Sequence, residues 1–177
     1  MRGLVRLIVW LAGLAVVVLI ASKFLFEPTY TVSSQVVIQA PPGRVWDKVG
    51  TFEQWPSWIK GIERFEITLG EGRETGSVAN AHVYNGFGGW DLEIRLTEVV
   101  PPMRLRYQLL GGPQSGAQSL IELKPSEDVR ATTVTWNESH TPGGVWGNLL
   151  AAVMKSVVTT HHDESLNQLK FALERGI

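Results

Sequence analysis

Three hydrophobic patterns follow one another along the chain. The first is unbroken: residues 7–22, LIVWLAGLAVVVLIAS, carry no charge and lie between Arg6 and Lys23. They would make roughly 24 Å of helix at about 1.5 Å per residue, and widening the run to Leu4 and Phe26 brings it to bilayer thickness. The second pattern has a period of two. Residues 35–40 read as a first strand, with later ones expected at 63–69, 77–84 and 90–99. In the last of these, Trp90, Leu92, Ile94 and Leu96 alternate with Asp91, Glu93, Arg95 and Thr97. Leu105, Tyr107 and Leu109 share a face of the next strand, Ser119, Ile121 and Leu123 of another, and Val134 and Trp136 of a final one over 131–139. The third pattern is helical. Over 145–175, Trp146, Leu149, Leu150, Val153, Val157, Leu166, Leu169 and Leu173 form an apolar stripe, with no Pro and no Gly after Gly147.

Between first and second strands, Pro41-Pro42 opens a short helix over 43–49, and Trp55-Pro56-Ser57-Trp58 interrupts a second one over 52–59. Gly70-Glu71-Gly72, Gly86-Phe87-Gly88-Gly89, Pro101-Pro102, Gly111-Gly112-Pro113, Pro125 to Asp128 and Pro142-Gly143-Gly144 supply the turns. One-sided alternation across many antiparallel strands means one wet face and one covered face, and the terminal helix is the element long enough to cover it. The expectation is an α+β fold: a curved antiparallel sheet of about seven strands, two short helices and a long C-terminal helix, preceded by one transmembrane helix.

The leader has a rival reading as a cleavable signal peptide. Small residues spaced A-x-A are missing, since Leu19 precedes Ala21 by two and Ile20 precedes Ser22 by two. A retained anchor over 1–27, touching membrane through residues 4–26, is therefore expected ahead of a domain over 28–177. Arg2 and Arg6 on one side against Lys23 on the other favour a cytoplasmic N-terminus and an extracytoplasmic domain.

Composition narrows the function classes. The chain is 44% hydrophobic and 19% charged with net charge −1, which points away from disorder and from a basic nucleic-acid binder. Without Cys it has no disulfide framework, thiol nucleophile or thiolate metal site. Seven Trp is a heavy load for 177 residues, and only Trp10 lies in the leader.

Three stretches carry a family resemblance: Val36-Val37-Ile38-Gln39-Ala40-Pro41-Pro42-Gly43-Arg44-Val45-Trp46, Phe52-Glu53-Gln54-Trp55-Pro56-Ser57-Trp58, and Glu164-Ser165-Leu166-Asn167-Gln168-Leu169-Lys170. A strand breaking at Pro into a helix with a V-W pair, an aromatic-Pro-x-Trp segment and a final L-x-x-L-K resemble the START/Bet v 1-like (SRPBCC) superfamily. Within it they resemble the polyketide cyclase/dehydrase-like group. The resemblance covers about residues 33–174 and implies a helix-grip fold around a cavity. That superfamily hosts lipid carriers, quinone-binding proteins, hormone receptors and cyclases or dehydratases, so the fold alone does not choose among them.

Trp90, Tyr107 and Trp136 have the apolar parity of three strands, so their rings should face the terminal helix. They line a ligand cavity or they are core packing. Trp55 and Trp58 flank a Pro and either rim an entrance, touch headgroups, or wedge the short helices onto the sheet. Tyr84, with Asn80 and His82, forms a polar set whose parity competes with Ala79, Ala81 and Val83. The candidate ligand contacts are Trp90, Tyr107, Trp136, Trp58 and Tyr84, with Val153 and Val157 from the helix stripe. Glu138 and His140 continue the face of Trp136 and are candidate acid/base groups, against a solvent-exposed strand end. His161-His162-Asp163 is a poor metal motif, because adjacent helical side chains diverge by about 100°. Asn137-Glu138-Ser139 is a glycosylation sequon inside an expected strand. No G-x-S-x-G is present.

These features lead to an expectation of a membrane-anchored module that binds a hydrophobic small molecule (lipid, isoprenoid or quinone) with no cofactor or metal. A cyclase, dehydratase or hydrolase working in the same cavity is the alternative. An interaction module with a filled core is a third.

Overall fold

The computed structural model describes residues 2–25, 29–84, 88–143 and 147–175, with side chains for all of these but 22–25, 148 and 149. The element order is α1 (Arg2–Leu25), β1 (Tyr30–Ile38), α2 (Pro42–Val49), a 3-10 helix (Phe52–Ser57), β2 (Ile62–Leu69), β3 (Val78–Tyr84), β4 (Gly89–Val100), β5 (Arg104–Leu110), β6 (Gln118–Pro125), β7 (Thr132–His140) and α3 (Gly147–Glu174). All seven strands form one antiparallel sheet in the order β1-β7-β6-β5-β4-β3-β2. This is the expected helix-grip arrangement. β1 begins five residues earlier than the hydrophobic pattern suggests, because Tyr30, Val32 and Ser34 face inward at period two where Ser and Thr hide the alternation.

Local chemistry fixes the segment that plugs one end of the sheet. Pro41 caps α2 and Pro42 opens it, at positions where a missing N–H costs no helical bond. Gly50 ends it, donating its N–H to Trp46 O at 2.7 Å. A Cβ there would come within 2.4 Å of the Trp46 ring, so only glycine fits. A helix leaves its last carbonyls without partners inside the helix. Two indoles of the 3-10 segment take them up: Trp55 Nε1–H donates to Val49 O at 2.8 Å and Trp58 Nε1–H to Lys48 O at 3.1 Å. Trp55 and Trp58 are thus fully buried wedges and do not reach an entrance or a bilayer.

The main core lies on the inner sheet face, drawing Leu92, Ile94, Leu96, Leu105, Tyr107, Ile121 and Val134 from the strands. Phe52, Trp55 and Trp58 of the 3-10 region and Leu166, Leu169 and Leu173 of α3 complete it. A separate small cluster, Tyr30, Val32, Ala151 and Val158, holds the first half of α3 against β1. The stripe expected on that half is therefore displaced. Leu150, Val153 and Val157 are exposed, and the smaller Ala151 makes the contact with β1. Trp146 and the Leu149 side chain, also assigned to the stripe, and the Gly86-Phe87 turn lie outside the described residues.

α1 is long and apolar enough to cross a membrane by length and composition, and its side chains face outward.

Candidate functional site

The site follows from strand register. Ser119 on β6 pairs across with Tyr107 on β5 and with Glu138 on β7, and Glu138 pairs in turn with Val32 on β1. These residues all carry inward parity, so a polar row of Tyr107, Ser119 and Glu138 crosses the floor of the sheet. One step along, Trp136 pairs with Ile121 on one side and Ser34 on the other.

Glu138 is buried. Its Oε1 accepts from the Tyr30 hydroxyl at 3.2 Å and from Gln114 Nε2 at 3.4 Å. Its Oε2 accepts from Ser119 Oγ at 3.0 Å and faces His162 Nε2 of α3 at 3.4 Å. Burial by itself would raise the carboxyl pKa. Hydrogen bonding and charge from His162, helped by Ser119 and Tyr30, hold it below the ordinary glutamate value. The ionised form therefore prevails inside the protein at neutral pH. Burial, reinforced by the Glu138 charge, raises the Tyr30 and Tyr107 phenols, keeping both protonated. Burial lowers the pKa of His140, against the pull of Glu138.

The His162 ring stacks on Trp136, with centroids 3.8 Å apart and planes 12° from parallel. Trp136 also meets Trp58 edge-on at 5.7 Å, and Trp55 meets Tyr107 at 5.1 Å and Phe52 at 4.7 Å. These rings touch one another and pack within the main core. Among the described residues, four buried side-chain atoms lack a hydrogen-bond partner of good geometry, Ser34 Oγ, Trp90 Nε1, Trp136 Nε1 and His162 Nδ1, the Trp136 indole lying near the Tyr107 hydroxyl. Three of them belong to neighbouring side chains, since Ser34 is the cross-strand neighbour of Trp136 and His162 stacks upon it.

Of the residues singled out by sequence, the structure brings Trp58, Tyr107, Trp136 and Glu138 together on the inner face. Trp90 is half-buried on the same face, packed against the core. His140 is buried at the end of β7, edge-on to Tyr30 at 5.7 Å. The strand-end alternative of solvent exposure is thus excluded for both acid/base candidates. Tyr84 stands apart: it is 45% exposed on the outer face, because Ala79 and Ala81 take the inside of β3. Its neighbour His82 bonds Asp91 Oδ1 at 2.7 Å at the sheet margin. Val153 and Val157 point to solvent, 62% and 46% exposed.

Sequence reasoning missed His162 and Ser34. Setting aside a metal motif left His162 without a role, although divergence of adjacent helical side chains is what sends it inward. His161 turns instead to Lys60 O, at 2.9 Å. Two surface depressions, of about 860 and 410 Å³, open on the outer sheet face. Arg64, Asn80 and His82 line the first, and Thr97, Gln108 and Asn137 the second.

Residues 29–174 match the model of a family described as polyketide cyclase / dehydrase and lipid transport. The chain belongs to this family. Among solved structures, it is similar to the Zhui aromatase/cyclase from a Streptomyces species, at TM-score 0.71 and 18% identity over 83% of this chain and 94% of that one. A conserved protein from Geobacillus kaustophilus aligns at 0.68 and 19% over 83% and 97%. The Aha1 dimer from Colwellia psychrerythraea aligns at 0.59 and 19% over 83% and 98%. At these identities the likeness is one of fold, and the family's helix-grip architecture is what they share. No curated protein sequence matches this chain.

Proposed function

We propose that this family member binds a hydrophobic small molecule, such as a lipid, isoprenoid or quinone, between its sheet and α3. One observation carries the reading: unpartnered polar atoms of Ser34, Trp136 and His162 gathered inside an aromatic interior. Each buried orphan costs about 1–3 kcal/mol, a standing penalty that a ligand bearing one polar group relieves. Apolar walls with few convergent polar atoms are the usual make-up of such sites.

Entry requires α3 to part from the sheet. The first half of the helix rests on a four-residue cluster, the second on the main core. Amide hydrogen exchange in the full chain should therefore be faster over 150–160 than over 165–173. Saturation with farnesol should slow exchange in the first half several-fold; unchanged exchange across a panel of isoprenoid, quinone and fatty-acyl probes would defeat the reading.

Residues 1–27 act as the anchor and 28–177 as the ligand-binding domain, held at the bilayer with the N-terminus in the cytoplasm. The tether raises the effective concentration of the domain at the membrane surface. Alkaline carbonate should leave the full chain in the membrane pellet; its release into the supernatant would rule the anchor out.

The enzymatic reading gains one specific observation, the buried pairing of Glu138 with His162 in place of His140. Four donors already surround that carboxylate, and its pKa is lowered. It is poorly suited to give up a proton as a general acid, and a fixed anion is the better description.

A further inference from the structure

We infer that the site between sheet and α3 selects an uncharged, hydrogen-bonding head group, a hydroxyl or carbonyl, and rejects carboxylate and phosphate heads. This inference rests on the ligand-binding reading above and adds the chemical class of the ligand.

Both Glu138 oxygens are occupied, by Tyr30, Gln114, Ser119 and His162. A ligand therefore gains nothing by bonding to them, yet it feels their charge. The atoms left open belong to Ser34, Trp136 and His162. An indole N–H can only donate. A His162 that donates Nε2–H to Glu138 presents, when neutral, Nδ1 as an acceptor. A serine hydroxyl does either. One donor, one acceptor and one group of both kinds match a hydroxyl, which gives and receives. A carbonyl also satisfies the indole and the serine.

The one cationic group an anionic head could meet there, His162, already faces the Glu138 carboxylate. Among the described residues every Lys and Arg side chain is exposed or only partly buried, and none appears among the buried polar groups. The polar contacts that Lys48 and Lys170 make, to Gln54 and Glu174, tie them outside the floor of the sheet. Bringing a second negative charge beside a buried carboxylate is unfavourable by Coulomb repulsion and by desolvation together.

The test uses the full chain in mild non-ionic detergent and two probes with one hydrocarbon chain, farnesol and farnesoic acid. Tryptophan fluorescence at pH 7.5 reads their affinities. Farnesol should bind about tenfold or more tighter than farnesoate. In Glu138→Gln the ratio should shrink at least about threefold, because the repelling charge is gone while the side-chain shape is kept. Trp136→Phe, which keeps a ring and removes the N–H, should weaken farnesol about fivefold. Equal affinities in the natural protein, or tighter binding of the acid, would overturn the selectivity while leaving the binding site standing. Binding of neither probe, nor of any quinone or fatty-acyl probe, would overturn the binding reading itself. The comparison within the natural protein decides even if Glu138→Gln fails to fold.

Discussion

Glu138→Ala should destabilise the folded domain by about 3–5 kcal/mol. The loss arises because Tyr30, Ser119 and His162 all lose a buried acceptor at once. Glu138→Gln should cost less, because its amide keeps one acceptor oxygen while placing an N–H against existing donors. The same carboxylate gives stability a pH dependence with a definite sign. Its folded pKa lies below the ordinary 4.5, so its contribution is complete above that pH and is lost as pH falls through the folded value. His140 and His161 add to the acid loss from higher up. Burial holds both below 6.5, so the unfolded chain takes up their protons first as pH drops below that point. The urea midpoint of the full chain, followed by tryptophan fluorescence, should therefore fall from pH 7.5 to pH 5 and further by pH 4. In Glu138→Gln the step below pH 5 should shrink and the histidine step remain. A flat midpoint between pH 4 and 7.5, or a Glu138→Ala cost under about 1 kcal/mol, would contradict this account of the buried anion.

Trp55→Ala should cost a similar amount, about 3–5 kcal/mol, for an apolar reason. Its ring is fully buried and touches Phe52, Trp58, Phe65 and Tyr107. Its indole N–H also satisfies Val49 O at the end of α2, so truncation leaves both a cavity and an unpaired carbonyl. Trp55→Phe separates the two effects: it keeps most of the ring contact and should retain more than half of the lost stability. Equal losses in the two variants would mean the hydrogen bond dominates, and a negligible loss in Trp55→Ala would mean the plug is not a structural element.

Much of this architecture is legible in the residues because the strands obey a strict parity. Alternation in β4 through β7 identifies which of Leu96, Tyr107, Ile121 and Trp136 face inward, and the same parity carries Glu138 and His140 inside. Tyr84 is harder, because β3 alternates Ala with Asn, His and Tyr, and small residues give parity little hydrophobic contrast. The helix misled for a different reason. An apolar stripe marks burial only where the facing surface is large, and the first half of α3 meets one edge strand with Ala151 and Val158. Leu150, Val153 and Val157 then stay exposed despite helical spacing. Ser34 and His162 carry no sequence signal, since a serine in a strand and one of two adjacent histidines are ordinary. Their importance arises when register and helix rotation bring both to Trp136. Wedging is one of the roles open to Trp55 and Trp58, and the two carbonyls that a short helix leaves free beside them select it.

The most direct measurement is the indole region of a nitrogen–proton correlation spectrum of the full chain in detergent, assigned by single Trp→Phe variants. On saturation with farnesol, the Trp136 resonance should move downfield as its N–H gains an acceptor. The Trp55 and Trp58 resonances, already bonded to Val49 O and Lys48 O, should stay in place. A Trp136 signal that remains still with every isoprenoid, quinone and fatty-acyl probe would show that nothing binds where the sheet meets α3.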